Sequence, residues 1–161
     1  METTTIRTFR ETDHSPVLDI FNRFVRESFA AYPDVEVELD FIDNLLNSAI
    51  IFRILEFEAE VIGFGFVRPF MPLPNFGHTG LLTYFILPEF TRKGMGTRLL
   101  DALIEAGRRK GLTNYLGNIS ARNEQSLAFH RKHGFKEVGR FSDVGAKFGE
   151  SFDIVWVQKQ V

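Results

Sequence analysis

Leu82-Thr83-Tyr84-Phe85-Ile86-Leu87-Pro88-Glu89-Phe90-Thr91-Arg92-Lys93-Gly94-Met95-Gly96-Thr97-Arg98-Leu99-Leu100 is the stretch that decides the fold. Its first six residues form a compact apolar run with aromatic and β-branched members, halted by Pro88, and read as a buried strand. Beyond the turn, Met95, Leu99, Leu100, Leu103 and Ile104 recur at helical spacing. Between the two, Arg92-Lys93-Gly94-Met95-Gly96-Thr97 offers bare backbone N–H groups, two positive side chains and a hydroxyl. Glycine lets backbone approach a ligand closely, and a helix N-terminus attracts anions. The turn therefore reads as a seat for a phosphate or pyrophosphate.

Outward from that stretch the elements are well signed. The helix is expected to end near Lys110, with Arg108, Arg109 and Lys110 close to its carbonyl end and Gly111 beyond. Residues 114–120 read as a strand, and Asn123 caps a helix that closes at His133-Gly134. Residues 135–141 and 152–158 read as two strands around a glycine-containing loop. Upstream, residues 68–79 hold Pro69, Pro72, Pro74 and Gly77 and read as an irregular loop. Residues 50–57 and 61–67 form a hairpin through Glu58-Ala59-Glu60, with Gly63 and Gly65 marking a bulge or close backbone packing. Residues 39–47 are a short helix. Val17, Leu18, Phe21, Phe24 and Val25 make one face of another, capped by Asp13 or Ser15 with Pro16 in its first turn. Residues 4–10 alternate like a half-buried strand.

The order β-α-α-β-β-β-α-β-α-β-β has a central strand–helix–strand unit, expected to be a right-handed parallel crossover. The expected class is α/β: one domain over residues 1–161, a central mixed sheet with helices on both faces.

Composition narrows the function. A chain of 161 residues can bury one sizeable core. Its 18 Phe against 3 Tyr and 1 Trp favour an aromatic core over an aromatic pocket. A net charge of −2 gives no support to a nucleic-acid or anionic-membrane partner. With no Cys, disulfides, thiolate catalysis and Cys-ligated zinc are excluded. The four His are scattered and no metal site is expected; His133, beside the closing glycine of its helix, reads as a cap-region cation. The first twelve residues lack an apolar signal core, and no apolar run is long enough to span a bilayer, so a cytoplasmic protein is expected.

The glycine turn is neither of two common phosphate motifs. A P-loop ends in Gly-Lys-Ser/Thr, which the chain lacks. A dinucleotide fingerprint needs a third glycine where Leu99 stands. What remains resembles the Arg/Gln-x-x-Gly-x-Gly/Ala turn of the GNAT superfamily of acyl-CoA N-acetyltransferases, with Gly94 and Gly96 in register and Thr91 in place of Arg or Gln. Asn123-Glu124-Gln125-Ser126-Leu127-Ala128-Phe129-His130-Arg131-Lys132-His133-Gly134-Phe135 resembles the family's Asn-x-x-Ser-x-x-x-His/Tyr-x-x-x-Gly-Phe. Independently of any family, Asn123, Ser126 and His130 fall within about 60° of one helix face. Gly145-Ala146-Lys147-Phe148-Gly149, then Asp153 and Gln158, is similar to the C-terminal run of the phosphinothricin acetyltransferase subfamily, although Ser151 stands where that run has Trp.

The resemblance implies acetyl-CoA as co-substrate and direct acetyl transfer to a small amine or amino-acid-like acceptor in a ternary complex. It assigns Phe85, Ile86 and Leu87 to the pantetheine-binding strand edge, with the Ile86 N–H facing the thioester carbonyl. It gives Thr91, Arg92, Lys93, Gly94, Met95, Gly96 and Thr97 to the pyrophosphate, and Asn123, Ser126, Phe129 and Lys132 to the cofactor arm. His130 is the expected proton-transfer group, as donor to sulfur or as base. The subfamily's base, a Glu two residues before Thr83, is Leu81 here, and its Tyr-Arg-x-Thr run reads Phe76-Gly77-His78-Thr79. His78, Tyr84 or a relayed water would have to replace that Glu. A second reading is an acyl-CoA-binding regulatory protein with weak or no transferase activity. The subfamily also implies a homodimer, with the apolar last strand, residues 154–157, as the expected contact.

Overall fold

A computed structural model describes residues 2–161. Seven strands form one sheet in the order β1-β2-β3-β4-β5-β7-β6. They are β1 (Thr4–Arg7), β2 (Ile51–Phe57), β3 (Glu60–Pro69), β4 (Thr79–Ile86), β5 (Asn114–Ser120), β6 (Lys136–Lys147) and β7 (Glu150–Gln160). The helices are α1 (His14–Glu27), α2 (Leu39–Ser48), α3 (Met95–Arg109) and α4 (Glu124–Lys132). Only β4 and β5 pair in parallel, across the α3 crossover; all other neighbours are antiparallel. The mixed α/β sheet and the expected element order are both present.

Two hydrophobic layers clasp the sheet. On one face Val17, Ile20, Phe21 and Val25 of α1 and Ile42 of α2 meet Phe52, Ile54, Phe64, Phe66 and Phe85. Many of the phenylalanines gather here, with Phe52, Phe64 and Phe66 stacked at centroid separations of 5.6–6.4 Å. On the other face Leu99, Leu100, Leu103 and Ile104 of α3 cover Ile62, Val67, Leu82 and Ile86. No helix of the described residues is long and apolar enough to cross a membrane.

Two glycines are set by close approach. A Cβ on Gly63 would lie 2.7 Å from the Phe85 carbonyl oxygen, and β3 carries a one-residue bulge beside it, where Leu55 pairs with Gly63 but Glu56 with Val61. Gly107 of α3 leaves room for Tyr115, which is fully buried and donates its hydroxyl to the Ile104 carbonyl at 3.0 Å. A Cβ there would fall 2.0 Å from the Tyr115 oxygen. Gly107→Ala is therefore expected to destabilise by about 2 kcal/mol, overpacking outweighing the helix-propensity gain of about 1 kcal/mol. Adding Tyr115→Phe should recover part of the loss, as a double-mutant cycle in chemical denaturation would read.

Three boundaries differ from the expectation. Asp13 occupies the N-cap position of α1 but makes no capping bond; its carboxylate is engaged by Arg7 and by the Arg10 N–H. The loop expected after residue 141 is mostly strand. β6 and β7 continue as one long hairpin to a turn at Phe148 and Gly149, both at positive φ. Three residues of β6, 142–144, stand against one of β7, Asp153, between the Phe141–Ile154 and Gly145–Phe152 pairs, and the Asp153 carboxylate accepts the Asp143 N–H. Finally, β7 is sandwiched between β5 and β6, with Val155 and Val157 in the core. The edge strand β6 instead exposes apolar side chains at Val138, Phe141 and Val144.

Candidate active site

The parallel pair that organises the sheet stays together for three rungs only, from Thr79–Asn114 to Leu81–Leu116. Beyond them β4 runs on to Ile86 and β5 to Ser120 without a partner on that side, so the two strands splay. The antiparallel β3–β4 ladder is bracketed by the Phe70 N–H on the Thr79 carbonyl and the Leu87 N–H on the Ile62 carbonyl. Antiparallel hydrogen bonding alternates residue by residue. Thr83 and Phe85 thus turn their backbone groups to β3, while Tyr84 and Ile86 turn theirs into the opening. These are unpaired strand-edge groups, ready to pair with an extended ligand.

A cleft of about 480 Å³ leads from this edge to the glycine turn. Phe85, Ile86, Thr91, Arg92, Gly94, Gly96, Thr97, Asn123, Ser126, Phe129 and Lys132 all line it. At its end Arg92 (φ 67°) and Gly94 (φ 76°) carry the chain into α3 in left-handed conformations. The first helical N–H groups, from Met95, Gly96 and Thr97, have no carbonyl available within the helix and suit an anion. Gly96 has a packing role as well, since a Cβ there would come within 3.2 Å of the Phe129 ring. His133 fixes the same junction. Its ring lies 4.1 Å from that of Phe129, Nδ1 bonds the Phe129 carbonyl at 2.8 Å, and Nε2 meets the Thr97 hydroxyl at 2.9 Å. Its ring thus does more than cap the helix: it ties α4 to the start of α3.

Other expected side chains lie elsewhere. Met95 is buried in the core, Lys93 sits about 6 Å from the Phe57 and Phe90 rings, and Leu87 packs between the two apolar layers. None of the three is among the residues that line the cleft. Thr91 lines the cleft but donates its hydroxyl to the Pro88 carbonyl at 2.8 Å, so a phosphate would have to displace that bond.

A second cavity of about 340 Å³ lies on the α1–α2 side of the splay. The two share Ala30, Tyr84, Phe85, Asn123 and Ser126. At this junction the Tyr84 hydroxyl meets His130 Nε2 at 2.8 Å. His130 is 5% exposed, and its Nδ1 bonds the Ser126 carbonyl at 2.7 Å. A carbonyl can only accept, so Nδ1 carries the proton and Nε2 presents its lone pair to the Tyr84 O–H. Burial lowers the His130 pKa below its ordinary value, opposed by the Ser126 bond, and His133 lowers it further. Burial also raises the Tyr84 hydroxyl well above the ordinary tyrosine value. The pair rests as neutral phenol and neutral imidazole, aligned for a proton to pass from the oxygen to Nε2. α4 positions it: Asn123 caps the helix by accepting the Ser126 N–H, and Ser126 and His130 are one turn apart.

His78 is not brought to this site. It is exposed, precedes β4, and its carbonyl accepts the Thr113 and Asn114 N–H groups at the closed end of the splay. Leu81 sits on the last rung of the parallel pair, opposite Leu116, and lines neither cavity. Tyr32 and Arg68, both outside the sequence-based set, line the second cavity. Tyr32 reaches across from the α1–α2 loop to donate to Asn118 Oδ1 at 3.0 Å. The loop is held by Lys147, 3% exposed, whose ammonium donates to the Ser28 and Ala31 carbonyls at 2.7 and 2.6 Å. Arg68 carries a signal that was there to read: it continues the alternation of Phe64 and Phe66, which Pro69 obscures.

An unpaired strand edge, a glycine turn opening a helix and a hydrogen-bonded Tyr84–His130 pair at the junction of two cavities are the features an acyl-CoA-dependent transferase needs. The chain belongs to the acetyltransferase (GNAT) family, whose model matches residues 17–135, and acetyl-CoA is its co-substrate. It is 28% identical over 158 residues to the L-methionine sulfoximine/L-methionine sulfone acetyltransferase of Pseudomonas aeruginosa, covering 95% of this chain and 92% of that one. It is 26% identical over 160 residues to the L-amino acid N-acyltransferase of Escherichia coli, covering 97% and 93%. Among solved structures, a ribosomal-protein-alanine N-acetyltransferase from Brucella melitensis superposes with a TM-score of 0.89 at 30% identity, over 98% of this chain and 99% of that one. An acetyltransferase of Salmonella typhimurium solved with acetyl-CoA also gives 0.89, at 25% identity, over 98% and 94%.

Proposed function

We propose that this protein transfers the acetyl group of acetyl-CoA directly to the amine of a small, amino-acid-like acceptor, in a ternary complex. The observation that carries the reading is the Tyr84–His130 hydrogen bond at the junction of the two cavities. Bound along β4, acetyl-CoA supplies an activated thioester. The chain's own groups do the rest. The Ile86 N–H is aimed where negative charge develops on the thioester oxygen. As the amine attacks the thioester carbon, the Tyr84 oxygen takes the amine proton while its own proton moves to His130 Nε2, and the Ser126 carbonyl holds the imidazolium; the C–S bond then breaks and the departing CoA thiolate takes up that proton, leaving the amide and free CoA. This relay serves in place of the carboxylate that Leu81 lacks, and it assigns His130 the base role. The acceptors for which these relatives are named, amino acids and a protein alanine, support an amine with an amino-acid-like frame.

The test is a thiol-release screen with acetyl-CoA over small amines and amino acids. Acceptor-dependent CoA release is expected. Tight CoA binding with no release from any acceptor would instead support a regulatory acyl-CoA-binding role. The exposed Val138, Phe141 and Val144 of edge strand β6 support a homodimer, which sedimentation of the wild type and of Phe141→Asp would read.

A further inference from the structure

Arg68 is the penultimate residue of β3 and lines the second cavity. Its Nε is buried, and among the described residues it is the one such side-chain polar atom without a hydrogen-bond partner. Among the described residues no ion pair reaches it either, whereas Arg7, also largely buried, has two carboxylates. No Asp or Glu lines the cavity; its other polar side chains are hydroxyls, amides and His130. A buried donor on a charged group without a partner is destabilising, and structures seldom keep one without a use. Directly across the β3–β4 ladder stands Leu81. Paired residues on one face of an antiparallel sheet sit about 5 Å apart, so an acid at position 81 would neutralise the guanidinium. With leucine there, the cation stays available to a ligand.

We infer that Arg68 is the specificity-determining residue for the acceptor, binding a carboxylate on it. The guanidinium fork matches a carboxylate with two parallel N–H bonds. Phe21, Phe41, Leu45 and Phe66 form the neighbouring wall and take an apolar or aromatic side chain. The acceptor class is thus an amino acid with an apolar side chain, held by its acid group at Arg68 while its amine faces Tyr84. This rests on the transferase reading above for the amine, and on Arg68 alone for the acid.

The experiment compares L-leucine, L-methionine and L-phenylalanine with their carboxamides, in turnover and in calorimetric binding to the CoA-bound protein. The wild type is expected to favour the acids by about 30-fold or more in kcat/KM, the range a charge-assisted bidentate pair supplies. Arg68→Met should bring that ratio to about one by losing the acids and keeping the amides, with Tm unchanged or raised. Leu81→Glu, at a different position, should weaken the acids in the same way without lowering turnover of the amides. Arg68→Lys should retain an intermediate preference. An acid preference that survives Arg68→Met would overturn the assignment, as would equal loss of acids and amides, or a wild type indifferent to the carboxylate. A wild type that binds the acids through Arg68 but releases no CoA would overturn the transferase reading and leave the Arg68 assignment standing.

Discussion

Tyr84→Phe is expected to lower kcat by about 10²- to 10⁴-fold, the usual contribution of a positioned proton-transfer group, with the KM for acetyl-CoA nearly unchanged. The substitution removes one oxygen and keeps the ring. Its packing against Phe129 and the stacking on His130, at centroid separations of 6.0 and 5.5 Å, should persist. What is lost is the bridge between the acceptor amine and Nε2. His130→Gln should cause a loss of similar size. The double variant should be little worse than either single one, because two members of one relay do not add. Independent, additive losses would overturn the relay.

The pH dependence gives this prediction a sign. The relay needs His130 neutral, and burial lowers its pKa below the ordinary histidine value of about 6.5. Protonation on acidification removes the acceptor site at Nε2, so activity falls as pH drops, with a midpoint below about 6.5. Tyr84, raised well above its ordinary value, keeps its proton across the working range and adds no alkaline loss. The acceptor ammonium also titrates, but identically for both proteins. The ratio of wild-type to His130→Gln kcat/KM therefore isolates the imidazole: flat above pH 7, falling towards acid. A ratio constant from pH 5 to 8 would show that His130 does not carry the proton.

How much of this site was legible depended on sequence distance. The strand–turn–helix at residues 82–100 announces itself through local signals: an apolar run, a proline stop, two glycines and helical spacing. The face shared by Asn123, Ser126 and His130 is equally local, since helix geometry alone aligns them. Tyr84 and His130 were each visible, but not as a pair. They are 46 residues apart and meet only because β4 and β5 splay after three rungs and admit α4. Strand pairing sets that opening, and no single segment encodes it. Arg68 was hidden for a different reason. Pro69 and the prolines after it signal loop, yet a proline at a strand end is compatible with the ladder where its nitrogen faces away from the partner. Asp13 shows the limit of a local rule: its position fits a cap, but a stronger donor claims its oxygens.

That donor makes Asp13→Asn the largest expected loss of stability, about 3 kcal/mol. Asp13 is 2% exposed and receives the Arg7 guanidinium through two bonds, at 2.7 and 2.8 Å, and the Arg10 N–H at 2.7 Å. Arg7 also donates to Glu56 on β2, so the cluster ties β1 to its neighbour strand and to the entry of α1. Removing one member of a buried ion pair typically costs about 3–5 kcal/mol, because the partner is left poorly compensated. Glu56 stays with Arg7 and moderates the cost towards the lower end. In a domain of this size that corresponds to a fall in Tm of about 6–12 °C. The contribution depends on pH in a defined direction. Hydrogen bonding from Arg7 holds the Asp13 carboxyl below its ordinary range, while the unfolded chain titrates near about 3.9. A depressed carboxyl stabilises fully above the unfolded value and loses that contribution as pH falls through the folded one. The stability gap between wild type and Asp13→Asn should therefore be constant from pH 7 to 5 and shrink below about pH 4. Chemical denaturation at each pH reads it directly, and a gap that instead widened on acidification would mean that Asp13 folds protonated.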